Sequence, residues 1–331
     1  MSTTYLKSLQ TALHSIFETH PEVVLLGEDI LDPYGGAFKV SLGLSTKYKD
    51  RVITTPISEA SIIGVSNGLA LRGLKPIAEI MFGDFLTLCA DQIINHATKF
   101  KKMYNDKVDV PLIIRTPMGG GRGYGPTHSQ SIEKLFFGVP HLKIIAPSHL
   151  HNPGEILKYC VRAESQPLLF IEHKLLYPMT LLENKVSFEE EITGYPTAIY
   201  KNYDENKYKP DITIVGYGGV SRLITPLMDE MEQEEIRILA VFPSSIKPLP
   251  LNSILKACEQ SGNVILAEEG TEGFNWGSEV ASLIYEKSWQ KLKSPIQRLS
   301  SKSDIIPTSS VLEDKMLISS NDIKEAIFKF L

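Results

Sequence analysis

The sequence has few cysteines, no long apolar run and no excess of positive charge, and each absence excludes a class of protein. The three cysteines, Cys89, Cys160 and Cys258, stand far apart and predict neither a disulfide framework nor a cysteine-rich metal site. No stretch approaches the length of a membrane span. A formal net charge of −5 argues against a nucleic-acid or anionic-membrane surface. With no secretory signal core before the first helical pattern, we expect a soluble, cytoplasmic protein.

The length of 331 residues is too great for one ordinary domain, and the alternation of elements predicts an α/β fold with two doubly wound domains. We place the first domain at residues 1–175, a connector at 176–208 and the second domain at 209–331. Strand-like segments of the first domain lie at 23–27, 51–55, 76–80, 110–115, 142–146 and 167–172. Helical patterns lie at 5–19, 60–72, 84–104 and 152–163.

The connector is charged and broken by prolines, and it has room for a short hairpin. The α/β pattern then restarts with a strand within 211–219 and a helix that runs to about Gln233. A strand in IRILAVF, a helix near 251–261 and a strand at 263–270 follow. The sequence predicts mainly parallel sheets, whose active sites gather at the carboxyl ends of the strands.

Glu59 stands at one such strand end. Residues 51–55 (RVITT) predict a short buried strand that Pro56 ends, and Ser58 is a good N-cap for the helix that Glu59 opens. Small residues predict that this helix is buried: Ala60, Gly64, Gly68, Ala70 and Gly73. In one interpretation, Glu59 is an acid at the positive end of a helix, worth less than about 1 kcal/mol. In the other, a buried carboxylate needs a partner or a proton and is suited to proton transfer.

Four other segments could carry chemistry. The glycine-rich segment 117–131 holds His128, and it is either a flexible surface loop with a structural histidine or a ligand loop with a catalytic one. It matches neither G-x-G-x-x-G nor the P-loop pattern. Phe82 and Phe85 are core residues or a platform for a flat ring. The pair His149 and His151 lacks nearby metal ligands, and the turn 268–277 is predicted to be structural or part of an interface.

The order of several segments resembles one family. LLGEDI, YGGAFKVSLGL, TTPISEASIIGVSNGLALRGLKPIAEI, FGDF, ADQIINHATK, RTPMGGG, THSQS, LKIIAPS and ILAEEG together resemble the β subunit of the thiamine-diphosphate-dependent 2-oxo-acid dehydrogenases, of the pyruvate and branched-chain type. The resemblance covers nearly the whole chain. It implies a transketolase-like pyrimidine-binding domain followed by a transketolase C-terminal-like domain. It also implies oxidative decarboxylation of a 2-oxo acid and transfer of the acyl group to a lipoyl carrier.

The resemblance assigns roles to individual residues. Glu59 matches the glutamate that hydrogen-bonds the aminopyrimidine ring of the cofactor. Phe85 matches the aromatic beside that ring, with Phe82 near it and Glu28 among the cofactor contacts. His128 matches a histidine that moves or stabilises protons during acyl transfer. The family also holds a potassium ion on backbone carbonyls, which correspond here to Leu112, Cys160, Val161, Ala163 and Ser165.

The resemblance also implies partners. We find no G-D-G followed about 30 residues later by asparagine, the family's pattern for Mg²⁺ and diphosphate, so an α subunit is expected to hold both in an α2β2 tetramer. Without that partner the chain should be inactive. Binding of a lipoyl acyltransferase is less clearly implied, because segments such as VFPSSIKPLP and SDIIPTSSVLED depart from the family. The C-terminal half of a split transketolase-type ketol transferase and a non-catalytic structural subunit are the alternatives. Pyruvate, branched-chain 2-oxo acids, acetoin and a biosynthetic substrate all remain open.

Overall fold

The computed structural model describes residues 3–331, which fall into two compact units. The first unit contains the described residues up to Met118 together with Leu135–Ile145 and Asn152–Leu181. The second unit contains Gly119–Lys134, Ala146–His151 and Leu182–Leu331. The segment that carries His128 therefore packs as part of the second unit, although the chain enters it from a strand of the first.

The first unit contributes six parallel strands to its sheet, in the order β5-β6-β4-β3-β1-β2. Their bounds are β1 Val23–Gly27, β2 Val52–Thr54, β3 Lys75–Glu79, β4 Ile113–Met118, β5 Lys143–Ile145 and β6 Leu168–His173. The helices are α1 Tyr5–Thr19, α2 Leu44–Lys47, α3 Glu59–Leu71, α4 Phe100–Met103 and α5 Pro153–Ala163. Every residue of β1, β4 and β6 is buried, as expected of parallel strands covered on both faces. The predicted fold class is confirmed for this unit.

Two predictions for the first unit are wrong. The single helix predicted at 84–104 is instead a 3₁₀ turn at Gly83–Thr87, a π-helical turn at Gln92–Ala97 and the short α4. Threonine hydroxyls interrupt the helix by bonding to backbone carbonyls, as where Thr87 Oγ1 donates to Asp84 O at 3.0 Å. The strand at 51–55 is not buried as predicted, since β2 is an edge strand and Ile53 is 39% exposed.

The second unit contains a mixed sheet in the order β13-β12-β9-β10-β8-β7. Its strands are β7 Ser187–Ile192, β8 Tyr195–Lys201, β9 Ile212–Gly216, β10 Ile238–Pro243, β12 Val264–Thr271 and β13 Gln297–Ser301, and a short strand β11 Ser245–Lys247 follows β10. The helices are α6 Ser221–Gln233, α7 Leu251–Ser261, α8 Trp276–Ser288, α9 Ser310–Glu313 and α10 Ser320–Phe328.

The hairpin predicted in the connector is confirmed, because β7 and β8 pair antiparallel and β8 joins the sheet beside β10. Strands β9, β10, β12 and β13 are parallel, so the doubly wound prediction also holds here. The core of this unit lies between the sheet and α6 and α10, where Ile214, Met228, Phe242 and Ile327 are fully buried. None of the helices formed by residues 3–331 is both long and apolar enough to cross a bilayer.

Candidate active site

Two glutamates lie at the carboxyl ends of neighbouring strands in the first unit. Glu28 follows β1 directly, and Glu59 is the first residue of α3, shortly after β2. Because β1 and β2 pair in parallel, their carboxyl ends meet at the same edge of the sheet. Both side chains are buried, with 7% of Glu28 and 6% of Glu59 exposed. The sequence-based expectation of a buried acid at this position is confirmed.

Helix α3, which Glu59 opens, differs from the prediction in its N-cap and in its burial. Ser58 occupies the N-cap position, but its hydroxyl donates to Ser61 Oγ at 2.8 Å and caps no backbone N–H. One side of the helix is buried, while Val65 is 54% exposed and the space beside Gly68 is open. The predicted burial therefore holds for one side of the helix only, since its small residues are divided between a packed side and an accessible side.

The two carboxylates are short of hydrogen-bond donors. Burial, followed by the negative charges of Glu59 and Asp29, raises the pKa of Glu28, against a smaller opposing effect of the Ser58 backbone. Oε1 of Glu28 is buried and has no hydrogen-bond partner in the part of the chain that the structure describes. The hydrogen bonds formed by residues 3–331 include none to the Glu59 carboxylate. A buried acceptor without a donor is costly, so Glu28, with Glu59 beside it, fits a ligand that brings N–H groups or a protonated ring nitrogen.

Phe82 and Phe85 form an aromatic pair in the same unit. Their ring centroids are 5.8 Å apart and edge to face, and both side chains are partly exposed. Nζ of the buried Lys174 lies 5.2 Å from the centroid of the Phe82 ring. Between the two phenylalanines, a Cβ atom on Gly83 would lie 2.2 Å from Met118 Cγ, so only glycine lets this turn approach β4. The partly exposed rings suit contact with a flat heterocycle.

A buried ion cluster that the sequence analysis missed supports this aromatic region. Arg115, only 2% exposed, donates from Nη1 to Glu79 Oε2 at 2.9 Å and from Nε to Glu172 Oε1 at 2.7 Å. Glu79 also accepts from the backbone N–H of Ala37 at 2.7 Å. The next residue, Phe38, has its ring edge to face with that of Phe82. Charged residues inside otherwise apolar strands were the available signal, since such charges are rarely buried unless paired.

His128 lies in the second unit, on the loop Gly119–Lys134. Its side chain is half-buried, and Nδ1 lies 2.9 Å from the hydroxyl of Thr127. Gly123 and Gly125 have φ angles of +67° and +80°, which glycine adopts without strain. The glycines that the sequence singled out therefore shape this loop. The role of His128 in proton transfer stays a prediction.

The backbone carbonyls predicted for potassium belong to Cys160, Val161 and Ala163 in the last turn of α5, to Ser165 shortly after it, and to Leu112 just before β4. The Val161 carbonyl accepts a hydrogen bond from Lys75 Nζ at 2.8 Å, and the same ammonium is 3.7 Å from Glu22. A cation of the chain itself therefore lies at this helix end, where the partial negative charge of the helix dipole favours it.

His149 and His151 are fully buried in the second unit and have structural partners. His149 Nδ1 lies 2.8 Å from Ser221 Oγ, and His151 Nδ1 lies 2.8 Å from Ser148 Oγ. Burial lowers the pKa of each ring to about 4. Over residues 3–331, no three His, Cys, Asp or Glu side chains are grouped so that they could hold a metal ion.

Comparison with known proteins gives the class and then the family. Residues 1–180 match the family model "Transketolase, pyrimidine binding domain" and residues 202–323 match "Transketolase, C-terminal domain". The fold resembles a solved structure titled "Split gene transketolase, inactive beta4 tetramer", with a TM-score of 0.77, 21% identity and coverage of 98% of this chain and 97% of that one. These findings define a two-domain transketolase-like protein.

Three relatives extend over nearly the whole chain. They are the acetoin:2,6-dichlorophenolindophenol oxidoreductase subunit beta of Cupriavidus necator (30% identity, 97% of this chain, 95% of the relative), the 2-oxoisovalerate dehydrogenase subunit beta of Bacillus subtilis (32%, 98%, 97%) and the pyruvate dehydrogenase E1 component subunit beta of Porphyra purpurea (34%, 97%, 94%). The chain belongs to the transketolase-like family of dehydrogenase and oxidoreductase beta subunits that these relatives represent.

Proposed function

We propose that this chain is the β subunit of an α2β2 thiamine-diphosphate enzyme that oxidatively decarboxylates a 2-oxo acid and transfers the acyl group to a lipoyl carrier. One observation carries the proposal: Glu28 and Glu59 form a buried pair, and residues 3–331 provide no hydrogen-bond partner for Oε1 of Glu28 and no donor to the Glu59 carboxylate. The names of the relatives support the same class of reaction.

Each residue of the site has a distinct task in this mechanism. Thiamine diphosphate, when bound, supplies the electron sink that decarboxylation of a 2-oxo acid requires. Glu59 hydrogen-bonds a ring nitrogen of the pyrimidine and holds or releases the proton at that atom. Glu28 places a second carboxylate beside it, and the charge of Glu59 contributes to the raised pKa of Glu28. Phe82 and Phe85 orient the flat ring, and His128 moves a proton during acyl transfer.

The partner follows from what the sequence lacks. Because the chain has no motif for Mg²⁺ and diphosphate, an α subunit holds both, and the β chain has no activity without it. A lipoyl acyltransferase is the further partner that would receive the acyl group. Co-purification with the cognate α subunit, followed by a screen of 2-oxo acids and acetoin with an artificial electron acceptor, identifies the substrate.

The decisive substitution is Glu59→Gln. It keeps the shape of the side chain but removes the carboxyl group that exchanges a proton, so we expect thiamine-dependent decarboxylation by the reconstituted complex to fall at least about 100-fold. The matched control is Glu279→Gln, at an exposed glutamate in the first turn of α8. If Glu59 only favours the positive end of a helix, both variants will keep full activity.

The same assay separates the alternatives. A Glu59→Gln complex with wild-type activity would favour a non-catalytic structural subunit. Ketol transfer between sugar phosphates, in place of decarboxylation, would favour a split transketolase. The solved transketolase structure shares the fold at 21% identity and does not by itself favour that second reaction.

Potassium binding at the end of α5 is part of the proposal, with Lys75 as a competitor for the Val161 carbonyl. An ion bound there has to share this carbonyl with the ammonium or displace it. The test compares the thermal unfolding midpoints of the wild type and of Lys75→Met in KCl and in NaCl. Stabilisation specific to potassium and larger in Lys75→Met supports the site, whereas identical midpoints in both salts for both proteins contradict it.

A further inference from the structure

Glu313 is the last residue of α9 and is fully buried. Among the residues that the structure describes, no cation forms an ion pair with its carboxylate. Its carboxylate accepts two backbone hydrogen bonds instead. Gly121 N donates to Oε1 at 2.9 Å, and Gly123 N donates to Oε2 at 2.7 Å. Both donors belong to the loop Gly119–Lys134, which also carries His128.

The loop backbone is shaped around this carboxylate. Gly121 and Gly123 have φ angles of +81° and +67°, and the conformation aims both N–H groups at one anion. Concave backbone arrangements of this kind bind anions through their N–H dipoles. The neighbouring Gly120 is also tightly packed, because a Cβ atom there would lie 2.6 Å from Leu317 Cδ1. The turn therefore has little freedom while Glu313 is in place.

Further bonds hold both ends of the loop within the second unit. Glu269 Oε1 accepts from Gly120 N at 2.8 Å near the start of the loop. Near its end, the hydroxyl of Tyr217 donates to Glu133 Oε1 at 2.5 Å, and Lys134 Nζ bonds Thr271 Oγ1 at 2.6 Å. The stretch between these anchors includes His128, and Glu313 holds its first half.

We propose that Glu313 is a positioning residue, whose carboxylate fixes the turn Gly121–Gly123 and thereby sets the place of His128 along the loop. This inference rests on the proposed function for the chemical role of His128. It requires a carboxylate because two N–H groups need two acceptor oxygens. The amide of a glutamine offers one oxygen, and its NH₂ group would face the second donor.

The first test measures the order of the loop without using activity. Arg122 is exposed and lies between the two bonded glycines, so trypsin cleavage after Arg122, followed by mass spectrometry of the full chain, reports opening of the turn. We expect Glu313→Gln to be cleaved about tenfold faster than the wild type, because loss of a buried hydrogen bond raises the open population by that factor. The matched control is Asp314→Asn, an exposed neighbour with the same change of charge, which should be cleaved at the wild-type rate.

The second test uses the complex with the cognate α subunit. Acyl transfer to a lipoyl acceptor depends on His128 in the proposed function, so we expect Glu313→Gln to lower it about tenfold. Decarboxylation with an artificial acceptor bypasses that step and should stay within about twofold of the wild type. Glu313→Asp keeps both acceptor oxygens on a shorter side chain. Its cleavage rate and its acyl-transfer rate should lie between those of the wild type and those of Glu313→Gln. A merely structural role would lower both activities together.

Three outcomes overturn the proposal. They are unchanged cleavage after Arg122, faster cleavage with unchanged acyl transfer, and an equal fall of acyl transfer and decarboxylation. If Glu313→Gln does not fold, the same outcomes are judged from the cleavage and acyl-transfer rates of Glu313→Asp relative to the wild type. A wild-type complex without thiamine-dependent activity refutes the proposed function. The cleavage comparison still decides in that case whether Glu313 holds the loop.

Discussion

At the scale of single residues, the pair Glu28 and Glu59 trades stability for a binding site in the proposed function. Two buried carboxylates at one sheet edge repel each other, and the pKa of Glu28 is raised as a result of its burial and of the neighbouring charge. A protein that needed only stability would place apolar or neutral side chains there. The unpartnered Oε1 of Glu28 belongs to the same compromise, since a ligand that donates to it would recover the lost hydrogen bond.

The substitution Glu28→Gln should reveal this compromise. A carboxyl group whose pKa is raised by folding contributes stability below its unfolded pKa, and that contribution is lost as pH rises through the folded pKa. Glutamine does not titrate, so Glu28→Gln does not lose this contribution as pH rises. The stability of the variant relative to the wild type should therefore increase between pH 5 and pH 8. Thermal midpoints of the full chain at the two pH values measure the gain, and affinity of the complex for thiamine diphosphate should fall.

The control is Glu18→Gln, on the exposed side of α1 where the carboxylate is 70% exposed. This variant should change the thermal midpoint little at either pH, because a charge at an exposed site contributes little to stability. Equal midpoint differences at both pH values for Glu28→Gln would contradict the electrostatic account of the pair.

Single residues also show where sequence analysis stopped. The place of Glu59 could be predicted, because a strand, a proline, an N-cap and an apolar helix follow one another locally. The pairing of Arg115 with Glu79 could not, since it depends on the register of β3 against β4, which sets these two residues opposite each other. A shift of one residue would turn each side chain to the other face of the sheet.

At the scale of elements, prediction succeeded where one periodicity ran without interruption. Helix α1 was predicted at its observed bounds, because its apolar positions repeat along one face. The region 84–104 has a similar composition but forms three short helical pieces. Hydrogen bonds from threonine side chains and the close approach of Gly83 to β4 decide its course, and neither is visible in periodicity.

Two helix glycines should respond to alanine in opposite directions. Nothing lies within 4 Å of a Cβ atom built on Gly68 in α3, so Gly68→Ala should stabilise the full chain by about 0.5–1 kcal/mol through better helix propensity. A Cβ atom on Gly154 in α5 would lie 2.4 Å from Ser8 O, so Gly154→Ala should destabilise the chain by about 1–3 kcal/mol. Denaturant unfolding of both variants checks the signs. The same sign for both would mean that propensity alone governs these positions.

At the scale of the whole molecule, packing does not follow the order of the chain. The loop Gly119–Lys134 follows β4 directly, yet Glu269 and Glu313, about 150 and 190 positions away in sequence, accept hydrogen bonds from its backbone. The sequence singled out the glycines and His128 but gave no sign of these acids, since no local pattern links residues so far apart. Long-range partners of a loop emerge only when the units are folded.

Stability of the whole chain in mild acid depends on opposing titrations. Burial lowers the pKa of His149 and of His151 to about 4, so the unfolded chain binds more protons at these positions and stability falls as pH drops below about 6.5. Burial raises the pKa of Glu268 to about 7, with a further contribution from the charge of Glu133. The folded chain therefore binds the extra proton at Glu268, and this group gains stability as pH falls. Among the groups with large pKa shifts, two histidines oppose one glutamate, so we expect net destabilisation by acid, with a smaller contribution from Glu28 on the side of Glu268.

Replacing Glu268 should make that acid destabilisation steeper. Each group that titrates in only one of the two states changes the unfolding free energy by about 1.4 kcal/mol per pH unit. Glu268→Gln removes the largest of the contributions that offset the histidines, so the slope of unfolding free energy against pH should increase by about that amount between pH 5 and pH 6.5. Denaturant unfolding at several pH values measures the slope, with Glu272→Gln, exposed in the following turn, as the control. Parallel slopes for wild type and Glu268→Gln would show that Glu268 is already ionised in this range and that Tyr217 and the Gly277 N–H, 2.7 Å from Oε1, stabilise its charge.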